Sequence, residues 1–177
     1  MLKTPRERLL DTASKLFHNQ GYNNTGINQI ISESKVSKAS FYDYFKSKEG
    51  LCMAFLEKRY EYWVSKWDQY ISTASSQNEK ILKSFDFLIY MNERENFRGG
   101  SFFNISSEIP DDKVQIHETI CKYKNQVKKK FTSEIRDKIL ADNIYLLFET
   151  SIVMSRIYRS NELIIKSKII IEGLLKN

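Results

Sequence analysis

Apolar residues recur every three or four positions along most of the chain, and polar breaks divide this pattern into about nine segments. Such spacing is typical of amphipathic α-helices. The chain has only two prolines and six glycines, and few of them fall inside the periodic segments. The pattern therefore predicts an all-α fold of about nine helices.

The stretch from residue 27 to residue 51 divides into two short helical pieces. Ile27, Ile30 and Ile31 fall on one face of the first piece. Ser34 and Lys35 form a polar break after it. Two short helices joined by such a break are typical of a helix-turn-helix motif.

The second piece has one apolar face and one polar face. Ser37 is a good N-cap, and Phe41 and Phe45, four residues apart, are expected to face inward. The residues left on or beside the outer face are Lys38, Ala39, Ser40, Tyr42, Asp43 and Tyr44. Small side chains let the backbone approach closely, a lysine can bind a guanine edge or a phosphate, and tyrosine hydroxyls can donate to phosphate oxygens. This face suits the major groove of DNA.

From Arg8 to Leu51 the chain resembles the DNA-binding domain of the tetracycline-repressor (TetR) family of bacterial transcriptional regulators. The matching positions, in order, are Ala13, Leu16, Phe17, Gly21, Tyr22, Thr25, Ile27, Ile30, Val36, Ser37, Lys38, Phe41, Tyr42, Tyr44, Phe45, Ser47, Lys48, Glu49 and Leu51. Three positions depart from the family pattern: Ile31 replaces an alanine, Lys35 a turn glycine and Ala39 a common glycine. Since glycine tolerates a positive φ freely, Lys35 must either adopt that conformation or change the turn.

The resemblance implies that the chain has two domains with different functions. Residues 1–47 are expected to form a three-helix, helix-turn-helix DNA-binding domain, and residues 48–177 a helical ligand-binding and dimerisation domain. A long helix capped by Ser47 would link the two. The expected DNA contacts are Thr25, Ser37, Lys38, Ala39, Ser40, Tyr42, Tyr44 and Lys48.

The charge distribution agrees with this division. The formal net charge is +6, and residues 1–48 contribute +4 of it through eight Lys or Arg and four Asp or Glu. A basic N-terminal module favours nucleic-acid binding. A solvated lysine-rich surface is the alternative on charge alone.

The last two helices, predicted at about 141–158 and 161–175, are the most apolar part of the chain. A helix that is apolar on more than one side needs a second partner. The family resemblance implies that this pair forms a four-helix bundle with a second copy, giving a homodimer. Burial of both faces within one monomer is the alternative.

The sequence offers little for catalysis. His18 and His117 are the only histidines, and no catalytic, metal-binding or phosphate-binding motif accompanies them. We therefore expect no enzyme, no cofactor and no metal. A small apolar or aromatic effector is expected to bind a cavity among the aromatic residues, most of which serve as core. The candidate lining residues are Trp63, Phe85, Phe102, His117 and Phe148.

Two further features carry alternatives. The lysines between positions 122 and 130 could form a second nucleic-acid surface, although a solvated helix face is the more common role. Cys52 and Cys121 are expected to be reduced, semi-buried fillers.

These features together predict a cytoplasmic, DNA-binding and ligand-responsive regulator. No apolar run approaches the ~20 residues needed to span a bilayer. The alternative function is a helical protein-interaction module with a vestigial pocket.

Overall fold

The structure is a computed structural model that describes residues 3–133 and 135–176. In these ranges the chain forms nine α-helices and no strand, which confirms the all-α prediction. The helices are α1 (Pro5–Gln20), α2 (Ile27–Ser34), α3 (Lys38–Phe45), α4 (Lys48–Ile71), α5 (Gln77–Arg94), α6 (Ser101–Ser106), α7 (Val114–Thr132), α8 (Lys138–Tyr158) and α9 (Glu162–Leu174).

Helix starts follow local side-chain chemistry. Thr4 and Glu7 form a capping box at α1, because each side chain bonds to the other residue's backbone N–H. The Ser47 hydroxyl accepts from the Gly50 N–H at 3.0 Å and caps α4 as predicted. Asp137 caps α8 by accepting from two backbone N–H groups, so this helix begins three residues before the predicted start at Ala141.

Tertiary contacts extend one helix beyond its predicted end. The sequence pattern predicts that α5 stops near Met91, but the helix continues to Arg94. Met91 and Asn92 are both buried, and Asn92 Nδ2 donates to Asn161 Oδ1 at 3.0 Å. Asn92, which alone would favour a loop, is thus stabilised in the helix by its hydrogen bond to the side-chain amide of Asn161.

The chain forms two compact units. Unit 1 comprises residues 1–60 and 101–122, and unit 2 comprises residues 61–100 and 123–177. Unit 1 has one core, which joins α1 to α4 with apolar residues of the segment 101–122: Ile105, Ile109, Ile116 and Ile120. The functional division predicted at residues 47 and 48 falls inside this unit and stays a prediction.

In unit 2, α8 and α9 pack side by side, and α5 packs against both. Ser151 and Ser167 meet between α8 and α9, where their hydroxyls are 3.0 Å apart and buried. Within the described residues, no helix combines the length and the apolar character that crossing a bilayer would require.

Candidate nucleic-acid interface

The turn between α2 and α3 adopts a left-handed backbone at Lys35. This residue has φ 54° and ψ 45°, and its backbone N–H donates to the carbonyls of Ile31 and Ser32. Val36 follows and is buried, with 8% of its surface exposed. Lys35 therefore adopts the conformation that glycine takes in the family pattern, and the turn geometry is preserved at the expense of backbone strain.

Helix α3 begins at a hydrogen-bonded serine pair. Ser37 Oγ accepts from the Ser40 backbone N–H at 3.1 Å, and the two hydroxyl oxygens are 2.9 Å apart. Both hydroxyls are thus used within the first helical turn. They remain predicted DNA contacts, and each oxygen retains further hydrogen-bonding capacity.

The two faces of α3 separate as predicted. Phe41 and Phe45 are 0% and 6% exposed, and both belong to the core of unit 1. Lys38, Ala39, Tyr42, Asp43 and Tyr44 lie on the exposed side. Each tyrosine ring packs against the phenylalanine beside it, at centroid distances of 5.1 Å for Phe41 with Tyr42 and 6.4 Å for Tyr44 with Phe45. The buried phenylalanines therefore fix the positions of the exposed tyrosine rings.

Thr25 differs from the other predicted contacts because its side chain is fully buried. Its hydroxyl donates to the Gly21 carbonyl at 2.6 Å and so closes the turn between α1 and α2. A direct contact of this hydroxyl with DNA stays a prediction. In this structure Thr25 holds the turn that precedes α2.

Lys48 lies in the first turn of α4, beneath the α1–α2 turn. Its ammonium is 4.1 Å from the centroid of the Tyr22 ring, a cation–π distance. Burial lowers the pKa of Lys48, while the neighbouring Cys52 and Glu108 act in the opposite direction. The ammonium is thus partly desolvated, which strengthens its attraction for an incoming phosphate.

Two cations lie next to α3 in addition to the predicted set. Lys46 follows the helix as an exposed residue with φ 62°. The Arg6 guanidinium lies 5.4 Å from the centroid of the Phe45 ring. Lys46 could have been found from its position directly after the second helix, whereas the approach of Arg6 to Phe45 depends on the fold.

The predicted effector residues fall into both units. Trp63, Phe85 and Phe148 belong to a cluster of rings in unit 2, where Phe148 lies 6.0 Å from Trp63 and 5.5 Å from Phe85 between centroids. Phe85 and Phe148 are completely buried. Phe148 therefore contacts both of the other rings, in keeping with the expectation that most aromatic residues serve as core.

Phe102 and His117, the other two predicted effector residues, lie in unit 1. His117 Nε2 is buried and makes no hydrogen bond to any residue that the structure describes. Effector contacts by all five residues stay predictions.

The lysines of α7 are largely neutralised by acids of unit 2. Lys124 pairs with Glu149 at 2.5 Å, Lys128 with Asp142 at 2.8 Å, and Lys130 with Asp68 at 2.6 Å. These pairs favour the solvated, ion-paired helix face over a second nucleic-acid surface.

The two cysteines differ in their surroundings. Cys52 is buried, and burial raises the pKa of its thiol to about 12. Cys52 is a filler whose thiol is neutral, and it is completely buried where a semi-buried residue was expected. Cys121 is exposed, so the expectation of a semi-buried residue was wrong there. No group of side chains suited to binding a metal occurs in the described ranges.

The inward phenylalanines, the left-handed turn and the exposed basic and phenolic face together define a helix-turn-helix protein. The family model described as "Bacterial regulatory proteins, tetR family" matches residues 9–55. The N-terminal part of the chain is thus similar to the tetR family, which confirms the resemblance.

Two curated relatives illustrate the match. The HTH-type transcriptional regulator YuxN of Bacillus subtilis is 42% identical over 60 residues, which cover 34% of this chain and 21% of YuxN. The HTH-type transcriptional repressor NemR of Escherichia coli is 40% identical over 55 residues, which cover 31% of this chain and 28% of NemR. The chain thus matches less than a third of the length of these relatives.

The fold extends the likeness to the whole chain. SCO4454, a TetR-family transcriptional regulator from Streptomyces coelicolor, superimposes with a TM-score of 0.85 over 97% of this chain and 94% of that chain, at 20% identity. The proteins named in these comparisons are transcriptional regulators and not enzymes, in agreement with the non-enzymatic interpretation.

Proposed function

We propose that the protein is a ligand-responsive, DNA-binding transcriptional regulator, and specifically a repressor that a small apolar or aromatic effector releases from a palindromic operator. The observation that carries this proposal is the face of α3, which presents Lys38, Tyr42 and Tyr44 to solvent above a buried pair of phenylalanines. Such a regulator acts in the cytoplasm, where bacterial DNA is accessible.

In this proposal α3 enters the major groove. Lys38 reaches a guanine edge or a phosphate, and Ala39 lets the backbone come close to the bases. The hydroxyls of Tyr42 and Tyr44 donate to phosphate oxygens, while Lys48 attracts a phosphate electrostatically. Phosphate contacts set the position of the helix, and base contacts select the sequence.

The proposed assembly is a homodimer formed by α8 and α9. Each of these helices has a buried apolar face and a second, exposed apolar face. The exposed apolar residues on the two helices are Ile139, Leu146, Ile157, Tyr158, Ile165, Ile169, Ile170 and Leu174. A set of exposed apolar side chains of this kind favours association. A two-fold dimer would present two copies of α3 to half-sites about one helical turn apart, ~34 to 36 Å.

The proposed effector is apolar or aromatic because three of the predicted lining residues, Trp63, Phe85 and Phe148, belong to the ring cluster of unit 2. To act as an inducer, the effector must bind the DNA-incompetent arrangement of the dimer more tightly than the DNA-competent one. Helix α4, which runs from one unit into the other, would carry that change.

Selection of bound sequences from random double-stranded DNA tests the proposal. A regulator is expected to enrich a short palindrome whose half-sites lie about one helical turn apart. The competing function, a protein-interaction module with a vestigial pocket, predicts that no sequence is enriched over the input. A thermal-shift screen of apolar and aromatic compounds then tests for the effector, which should raise the melting temperature.

A further inference from the structure

A segment distant in sequence forms part of unit 1. Residues 101–122 contain α6 and the first half of α7, and they place four isoleucines in the same core as α1 to α4. The loop between α6 and α7 carries Glu108, which is partly buried. The isoleucines on either side of this loop therefore anchor it to the core that α1 to α4 share.

Glu108 makes two hydrogen bonds to one residue of the α1–α2 turn. The Asn23 backbone N–H donates to Glu108 Oε2 at 2.9 Å, and Asn23 Nδ2 donates to the Glu108 carbonyl oxygen at 2.6 Å. The two residues are 85 positions apart in the chain. Paired backbone and side-chain bonds fix both the distance and the orientation of the two loops.

Gly21 leaves room for the Glu108 carboxylate. A Cβ atom at Gly21 would lie 2.6 Å from Glu108 Oε1, closer than two such atoms can approach. Gly21 also has φ +90°, a conformation that other residues rarely adopt. The end of α1 and the carboxylate thus fit together only because this position lacks a side chain.

The α1–α2 turn leads directly into the motif that faces DNA. Thr25 bonds back to Gly21 within this turn, and Gly26 is the N-cap of α2. On the other side of the motif, Lys113 of the same distant segment pairs with Glu49 of α4 at 2.7 Å. The segment 101–122 therefore contacts the chain just before α2 and just after α3.

We propose that Glu108 is a positioning residue for DNA binding, which fixes the α1–α2 turn through Asn23 and thereby sets the orientation of the α2–α3 pair. This inference rests on the proposed function. Glu108 itself touches no DNA in this proposal. It acts on affinity and on the preferred spacing of half-sites by holding α3 in one orientation.

The test compares Glu108→Ala, Glu108→Gln and Asn23→Ala with a matched control, Asp111→Ala, which removes an exposed carboxylate three residues further along the same loop. Each full-length variant is titrated with the palindrome that the wild-type protein selects. Further titrations use versions of that palindrome whose spacer is one base pair longer or shorter, all at several salt concentrations.

Glu108→Ala and Asn23→Ala are expected to bind the selected palindrome about tenfold more weakly and to discriminate less between spacers. The slope of log K against log salt should equal that of the wild type, because no phosphate contact is lost. Glu108→Gln should bind like the wild type, since its amide oxygen still accepts from the Asn23 N–H. Asp111→Ala should be unchanged.

Three results would overturn the proposal. Wild-type affinity and spacer preference in both Glu108→Ala and Asn23→Ala would show that the contact positions nothing. A smaller salt slope in Glu108→Ala would indicate a direct effect on phosphate binding. If Glu108→Gln binds DNA as weakly as Glu108→Ala, the loss of affinity comes from the charge and not from the hydrogen bond. If Glu108→Ala does not fold, the DNA affinities and spacer preferences of Asn23→Ala and Glu108→Gln still test the proposal.

A measurement without DNA separates this proposal from the proposed function. In the free protein, Glu108→Ala should speed hydrogen exchange of the amides at residues 21–25 at least tenfold, while α3 stays protected. If the wild-type protein selects no DNA sequence, the proposed function fails, and the exchange data still report whether the contact holds the turn. Unchanged exchange in Glu108→Ala would refute the contact itself.

Discussion

The Lys48 ammonium lies against the face of the Tyr22 ring and is partly desolvated, so it is held in place before any phosphate arrives. A pre-positioned cation loses little side-chain entropy when it binds. Its attraction for a phosphate does not depend on the base sequence. Lys48 should therefore contribute equally to specific and nonspecific binding.

Lys48→Ala is expected to weaken binding to the selected palindrome and to unrelated DNA by the same factor. It should also lower the slope of log K against log salt by about 0.9, the value for one phosphate contact. Fluorescence anisotropy at several salt concentrations measures both quantities. Lys80→Ala removes an exposed lysine of unit 2 and should leave the slope unchanged. An unaltered slope in Lys48→Ala would remove this residue from the phosphate surface.

Tyr42 is 41% exposed, and its ring packs edge-on against Phe41. Tyr42→Phe keeps this ring packing and removes only the hydroxyl. Loss of one hydrogen bond to a charged phosphate should cost about 1.5 kcal/mol, or roughly tenfold in affinity. A gel-shift titration measures this loss. Tyr70→Phe, at a tyrosine of unit 2 that is 37% exposed, should bind as the wild type does. Equal affinities for all three proteins would argue against the Tyr42 contact.

At the scale of elements, the α2–α3 turn keeps its geometry although a lysine replaces the family's glycine. Lys35 has φ 54°, and the left-handed conformation costs a residue with a Cβ atom roughly 1 to 2 kcal/mol. Glycine would avoid that strain, but it would also make the unfolded chain more flexible. The two effects oppose each other, and the strain is the larger.

Lys35→Gly is therefore expected to raise the free energy of unfolding by about 0.5 to 1 kcal/mol. Lys35→Ala is the control, because it removes the same charge but keeps the Cβ atom and its strain. Urea denaturation followed by circular dichroism measures both variants. If the glycine variant is no more stable than the alanine variant, the strain at this position is negligible.

The sequence predicted those features that depend on neighbouring residues. The N-caps at Ser37 and Ser47 and the inward direction of Phe41 and Phe45 all follow from residue types at fixed short spacings. These signals located the starts of α3 and α4 and the exposed face of α3.

Features that depend on distant residues could not be predicted in this way. In the extended part of α5, Asn92 bonds to Asn161, and the contact between Asn23 and Glu108 joins residues 85 positions apart. The burial of Thr25 and the exposure of Cys121 likewise depend on how whole helices pack. A single sequence shows the periodicity of each helix but not which helices meet.

At the scale of the whole molecule, the proposed dimer depends on the outer faces of α8 and α9. In α9, Ile164 and Ile171 are completely buried, whereas Ile165 and Ile169 are 49% and 63% exposed. The exposed parts of Ile165 and Ile169 lie outside the core of the protomer. A charge introduced there should separate subunits without unfolding them.

Ile169→Glu is expected to convert the protein to a monomer at micromolar concentration. It should also weaken binding to the full palindrome by at least about a hundredfold, because the two half-sites would no longer be bound by linked copies. Analytical ultracentrifugation and anisotropy measure these effects. Val114→Glu is the control for the oligomeric state, since it makes the same change at an exposed apolar residue outside α8 and α9. A dimeric Ile169→Glu variant with wild-type affinity would exclude this face as the interface.

The core of unit 1 is built from two separate segments of the chain, and this limits which fragments and chimaeras of the protein can fold. A fragment that ends before residue 101 lacks Ile105, Ile109, Ile116 and Ile120 and would expose the apolar surface that they cover. In a chimaera whose first 47 residues come from a relative, the apolar surface of that relative's segment would have to pack against these four isoleucines. Exchange of DNA specificity between relatives should therefore proceed by substitutions on the outer face of α3, or by joint transfer of both segments, more readily than by a single crossover.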